Sequence, residues 1–193
     1  MILGITGGTG CGKTTLLEAV RKQGGITLDC DAIYHELLET DVPMLCRLQE
    51  AFPDCFADGR LVRKRLGERV FSDPAALSLL NGITHAAVRQ EVLRQLERKP
   101  ALAAIDAIAL LESGLGKLCD VTVAVVAPRE ERIRRLMARD GISRSYAERR
   151  IDAQHPESWF REHCDYVLEN SGTAAEFSQK CDTFLKKIKE ETT

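Results

Sequence analysis

Five short stretches of this chain are apolar almost without interruption: Met1-Ile2-Leu3-Gly4-Ile5, Ile26-Thr27-Leu28-Asp29-Cys30, Leu102-Ala103-Ala104-Ile105-Asp106, Val121 to Val126, and Tyr166-Val167-Leu168. Strands buried on both faces of a parallel sheet read in this way, because neither side of the pleat meets water. Between them the apolar positions fall at helical spacing. Leu16, Ala19 and Val20 share a face, as do Ile33, Leu37 and Leu38, and then Leu77, Leu80 and Ile83 with Val88, Val92 and Leu93. Further on, Ile133, Leu136 and Met137 mark one helix, Tyr146, Ala147 and Ile151 a second, and a polar terminal helix begins near residue 174. Pro43, Pro53, Gly59, Pro74 and Pro100 punctuate the region between the second and third strands. The pattern predicts an α/β fold: a five-stranded parallel sheet flanked by helices, built from residues 1–31, 101–128 and 158–193. A helical insertion spans about 32–100, and a separate arginine-rich segment about 129–157.

Candidate chemistry enters at the first strand's end. Gly7-Gly8-Thr9-Gly10-Cys11-Gly12-Lys13-Thr14 reads G-x-x-x-x-G-K-T between an apolar strand and a helix. Glycines let successive backbone N–H groups turn inward around an anion, and the helix start adds its dipole. In such a loop the lysine ammonium reaches the β- and γ-phosphates of a nucleotide, while the hydroxyl of Thr14 is placed to ligate Mg²⁺. Asp29 and Asp31 lie at and just beyond the second strand, and Asp106 ends the third. Open α/β sheets keep ligand-facing groups at these carboxyl ends.

Composition narrows the partners. The chain has 193 residues, 44% of them hydrophobic and 5% aromatic, and a formal net charge of −2. Too few aromatic platforms and no basic excess argue against a nucleic-acid or membrane partner. The N-terminus lacks a basic leader and no apolar run approaches a membrane span. Seven cysteines without a C-x-x-C pair fit free thiols in a reducing compartment, so a cytoplasmic protein is expected, and a monomer. Residues 129–150 hold eight arginines against four acids. Arg132, Arg135 and Arg139 share a helix face, and Asp140-Gly141 ends that helix.

These motifs, taken in order, resemble the dephospho-CoA kinases. Thr6 to Thr15 is similar to that family's T-G-G-x-G-S-G-K-S-T, Leu28-Asp29-Cys30-Asp31 to its I-D-A-D, and Gly59 to Leu66 with Val70-Phe71 to its G-x-L-x-R-x-x-L and V-F. Arg135-Leu136 to Arg139-Asp140-Gly141-Ile142-Ser143 is similar to its R-L-x-x-R-D-G-x-S, Arg150 to Gln154 to its R-I-x-x-Q, and Asn170-Ser171-Gly172 to its N-x-G. Three positions depart from the pattern: Ala86 follows His85 where the family has proline, Ile108 replaces the proline of D-V-P-L-L-F-E, and Cys11 replaces serine.

The resemblance implies phosphorylation of the 3′-hydroxyl of dephospho-CoA by ATP with Mg²⁺, within a P-loop kinase fold carrying a helical acceptor region and an arginine-rich lid. It implies that Asp31 accepts the hydroxyl proton and that Lys13, Arg135 and Arg139 stabilise the transferring group. Gly8, Thr9, Gly10, Cys11, Gly12, Lys13, Thr14 and Thr15 hold the phosphates, with Asn170 and Gly172 framing the adenine. Thr6, Asp31, Arg63, His85, Arg150 and Gln154 are the acceptor positions, and Thr14 with Asp106 the metal positions. The residues alone leave open a nucleoside or nucleotide kinase of the same fold, or a nucleotide-binding module without catalysis. A GTPase is disfavoured, since Asn81 and Asn170 are followed by glycine and serine rather than by the N-K-x-D tetrad. A thiol among inward-facing amides, two residues from Lys13, is expected to have a lowered pKa, making Cys11 reactive.

Overall fold

β1 (Ile2–Thr6) carries no polar side chain before Thr6 and sits at the centre of the main sheet. A glycine-rich loop leads from it to α1 (Lys13–Lys22), and a Gly24-Gly25 break to β2 (Ile26–Asp29). The computed structural model describes residues 1–191 and divides into two compact units, Met1–Asp29 with Lys99–Thr193 and Cys30–Arg98.

The second unit is helical. α2 (Cys30–Thr40) is followed by α3 (Val42–Ala51), whose N-cap Asp41 accepts the Met44 N–H at 2.7 Å. After a 3₁₀ turn come two very short strands, β3 (Phe56–Ala57) and β4 (Arg60–Leu61), paired antiparallel. Asp58 and Gly59 join them at φ 50° and 73°, the left-handed pair that a two-residue hairpin requires. α4 (Arg63–Phe71) and α5 (Pro74–Leu96) complete the unit. Asp73 starts α5 by accepting the N–H groups of Ala75 and Ala76 at 2.9 and 3.2 Å, with Pro74 in the first turn where its missing donor costs nothing. α5 is the unit's axis, packed by α2, α3 and α4. It buries Ala76, Leu80, Ile83, Thr84, Ala87, Val88 and Val92, whereas Leu77 and Leu93, expected on that face, are each 39% exposed. Alanine and threonine fill places against three neighbouring helices that a pattern weighted toward large residues misses.

The first unit resumes with β5 (Ala103–Asp106) and β6 (Val121–Val126). α6 (Arg129–Asp140), α7 (Arg144–Asp152) and α8 (Glu157–His163) lead to β7 (Tyr166–Glu169) and to α9 (Ala174–Glu191). The five long strands form a parallel sheet in the order β2-β5-β1-β6-β7. From β1 the chain turns to one side for β2 and β5, then crosses to β6 on the other, so the loop after β1 lies at the switch point. Leu3, Ile5, Val123 and Val125 of the central strands pack with Leu16 and Val20 of α1 and with Phe177, Phe184, Leu185 and Ile188 of α9. Each such side chain contributes about 1.5–3 kcal/mol by leaving water. α9, polar in its overall composition, is thereby pinned along one stripe. Among the described residues no helix is long and apolar enough to cross a membrane.

Candidate active site

The loop Gly7–Gly12 is shaped by backbone conformations that side chains resist: Gly7, Gly10 and Gly12 have φ of 128°, 82° and 98°. Gly12 occupies the N-cap of α1 in the left-handed region, no side chain caps the helix, and no acid lies in its first turn. The positive end of the helix dipole therefore meets no carboxylate from the helix's own first turn, which is the electrostatic setting an incoming phosphate needs. Lys13 folds back over the loop, its Nζ donating to Gly7 O at 3.1 Å. The neighbouring Thr14 is exposed and Thr15 half-buried.

Side chains brace the loop. Arg132 Nε donates to Thr9 O (3.0 Å) and its Nη2 to Gln154 Oε1 (2.9 Å). The same Gln154 oxygen accepts the Thr9 N–H (2.9 Å), while Gln154 Nε2 donates to Thr9 Oγ1 (2.8 Å). Arg135 Nη1 reaches Gly10 O (3.2 Å), and buried Asn170 donates from Nδ2 to Cys11 O (2.9 Å). Gln154, assigned to the acceptor by resemblance, thus grips the phosphate loop. Arg132 was not among the sequence candidates. Its signal was present in the shared helix face with Arg135, one turn away.

Other candidates stand differently. Arg139 donates to the carboxylate of Asp140 (2.6 and 3.0 Å), and Arg150 to the same carboxylate (2.7 Å). These two guanidiniums, Arg139 foremost, hold Asp140 well below its ordinary range, at about 2. Thr6 is buried and donates to Ile108 O at 3.0 Å, so its hydroxyl secures the segment after β5. Gly172 precedes a capping box in which Glu176 accepts the Thr173 N–H (2.7 Å) and Thr173 Oγ1 accepts the Glu176 N–H (3.2 Å).

The expectation for Cys11 is overturned. Its side chain is 2% exposed, and burial pushes the thiol up from its ordinary value, outweighing the pull of Arg132 and Lys13 in the opposite direction. Desolvation penalises the thiolate more than two nearby cations favour it. Met137, expected on the buried face of α6, is 38% exposed, leaving Ile133 and Leu136 as its core contacts.

At the strand ends, Asp106 stands in register with Ile5 on one side and Asp29 on the other, and its Oδ1 is shut off from solvent. Asp31, Arg63 and His85 belong to the helical unit. Asp31 is exposed in the first turn of α2, and His85 is half-buried on α5. Arg63 pairs with Glu39 at 3.0 Å. Burial pushes the Tyr34 phenol up, and the nearby Arg63 charge opposes that rise.

The comparisons with known proteins point to one family. The sequence profile of the dephospho-CoA kinase family matches residues 1–176. A dephospho-CoA kinase of Anaeromyxobacter dehalogenans is 37% identical over 97% of this chain and 92% of its own length. A crystal structure of a Thermus thermophilus protein superposes with a TM-score of 0.84 at 36% identity, covering 100% of this chain and 98% of that one. A dephospho-CoA kinase structure from Campylobacter jejuni gives 0.70 at 25% identity, again over 100% and 98%. With a phosphate loop after the central strand, arginines from the following helices and a match along nearly its whole length, this chain belongs to the dephospho-CoA kinase family.

Proposed function

We propose that the protein transfers the γ-phosphoryl group of ATP to the 3′-hydroxyl of dephospho-CoA, giving coenzyme A and ADP. The observation that carries this reading is the braced phosphate loop, with Lys13 folded over it, in a chain matched by the family through residue 176. Phosphoryl transfer needs in-line positioning and neutralised charge more than covalent help. Lys13 and the amides at the start of α1 bind the β- and γ-phosphates. Asp31 accepts the hydroxyl proton as the acceptor oxygen attacks phosphorus. Arg139 swings from Asp140 to the transferring group when the tip of the arginine-rich segment closes, and its planar fork suits the phosphoryl oxygens. Asn170 and Gly172 border the adenine. Arg63, His85 and Arg150 contact the acceptor. Thr6 supports the acceptor through Ile108, and Gln154 through Thr9.

Oxygen donors suit Mg²⁺, which takes few protein ligands and keeps waters and phosphate oxygens. Thr14 offers an exposed hydroxyl beside Lys13, and Asp106 a carboxylate at the end of a strand next to β1. These two would hold the ion, directly and through water, and it would supply neutralisation of charge on the phosphates. The protein works in the cytoplasm, in keeping with its free cysteines, and as a monomer.

The test is ADP release from Mg-ATP with dephospho-CoA, set beside adenosine, AMP, cytidine, uridine and shikimate. Release dependent on dephospho-CoA, with coenzyme A as product, is expected. Turnover with another acceptor alone would reassign the substrate while leaving the phosphate loop in its role.

A further inference from the structure

A cradle made of backbone has a weakness. Each N–H aimed at the anion has a carbonyl aimed away from it, and that carbonyl must be held if the peptide is to keep its direction. Here the rear of the cradle is fastened at three successive residues. Arg132 takes Thr9 O, Arg135 takes Gly10 O and Asn170 takes Cys11 O. The N–H groups of those same peptide planes belong to Gly10, Cys11 and Gly12; that of Cys11 closes a turn onto Gly8 O at 3.2 Å.

Thr9 is held most completely. Its carbonyl is bonded to Arg132, and its N–H and hydroxyl to Gln154, which Arg132 itself grips at 2.9 Å. The neighbouring Gly8 records how close this brace lies. A Cβ there would stand 2.2 Å from Arg132 Nη2 and 2.9 Å from Gln154 Oε1. The bonds are part-buried and charge-assisted, the class that outlasts competition from water.

We propose that Arg132 is a positioning residue for the nucleotide phosphates. Acting through Thr9 and Gln154, it fixes the crown of the loop and sets the affinity for ATP and ADP alike, without touching the transferred group. The proposal rests on the ATP-binding part of the reading above and does not depend on the identity of the acceptor.

The experiment is calorimetric titration of Mg-ATP and Mg-ADP into wild type, Arg132→Ala and Arg132→Lys without acceptor, with thermal midpoints and with kcat at saturating ATP. Arg132→Ala is expected to raise both dissociation constants about tenfold, as loss of charge-assisted hydrogen bonds does. Arg132→Lys, which can still reach Thr9 O, recovers part of the loss, and kcat at saturation falls less than about threefold. Unchanged affinities in a folded Arg132→Ala protein overturn the proposal. A loss confined to ATP, or to kcat, overturns it in favour of direct contact with the γ-phosphate. Should Arg132→Ala fail to fold, Arg132→Gln decides in its place, because glutamine can span only one of the two acceptors; wild-type affinity for both nucleotides would then reject the brace. Failure of the acceptor assay with intact nucleotide binding would strike the proposed reaction and leave this inference standing.

Discussion

The two ends of α6 use their arginines in opposite ways. In its first two turns, Arg132 and Arg135 are half-buried and donate to carbonyl oxygens of the phosphate loop. At its C-terminus, exposed Arg139 is held by the carboxylate of Asp140, which also receives Arg150. A fixed carbonyl in a part-buried place keeps its partner. A carboxylate in water holds a cation by a screened attraction that a phosphoryl group can outcompete. On the proposed reading, one end of the helix is brace and the other reserve. An arginine-rich run need not be a uniform lid; the partner decides what each arginine can do.

This contrast can be broken in several ways. Asp31→Asn removes the proposed proton acceptor: kcat is expected to fall roughly 10²–10⁴-fold with ATP affinity little changed, as steady-state rates beside titrations would show. Arg139→Ala should share that signature, lowering kcat about 10²–10³-fold while leaving nucleotide affinity alone; weakened ATP binding instead would erase the distinction between the two ends. Arg135→Ala belongs with the brace, and its dissociation constant for ATP should rise about tenfold. Asp140→Asn releases Arg139 and Arg150 from their shared partner and is expected to change kcat by no more than about threefold, since exposed pairs contribute little. Because the Asp140 pKa is depressed, its pairing is in place above the ordinary carboxylate range and is lost only as pH falls through about 2. A rate profile between about pH 5 and 9 should thus be indifferent to this substitution in shape. The smallest effect concerns Cys11. With its thiol buried and its pKa raised, alkylation at pH 8 should reach exposed Cys46 well before Cys11, by mass spectrometry of partially modified protein. Early modification of Cys11 would mean that the braced end opens readily.

Much of the architecture was legible. The parallel strands read as apolar runs because both faces are covered, and β6 has the bounds that the pattern gives. The glycine-rich loop was legible because its chemistry depends on local spacing. The hairpin β3–β4 went unread although Asp58-Gly59 is a turn signature, since two-residue strands leave no alternation to notice. α5 was harder still. Its buried stripe includes Ala76, Thr84 and Ala87, small or polar residues whose burial is set by three neighbouring helices. Ala86, standing where the family pattern has proline, carries the N–H that lets this helix run unbroken from Pro74 to Leu96. The placing of Lys13 over the loop was legible in the motif, whereas the contact of Arg132 was not, because its partner Thr9 lies 123 positions away. For Cys11 the nearby Lys13 was readable and the burial was not, and burial decides the direction.

Gly8 measures the brace in volume. It is not among the residues with positive φ, so its backbone could accommodate alanine; the space that a methyl group needs is taken by Arg132 and Gln154. A mutation enlarging residue 8 is expected to push aside the ends of Arg132 and Gln154 and so to loosen the brace, which titration of ATP would read as weakened binding. Positions 8 and 132, far apart in the sequence, thus share one small volume behind the loop.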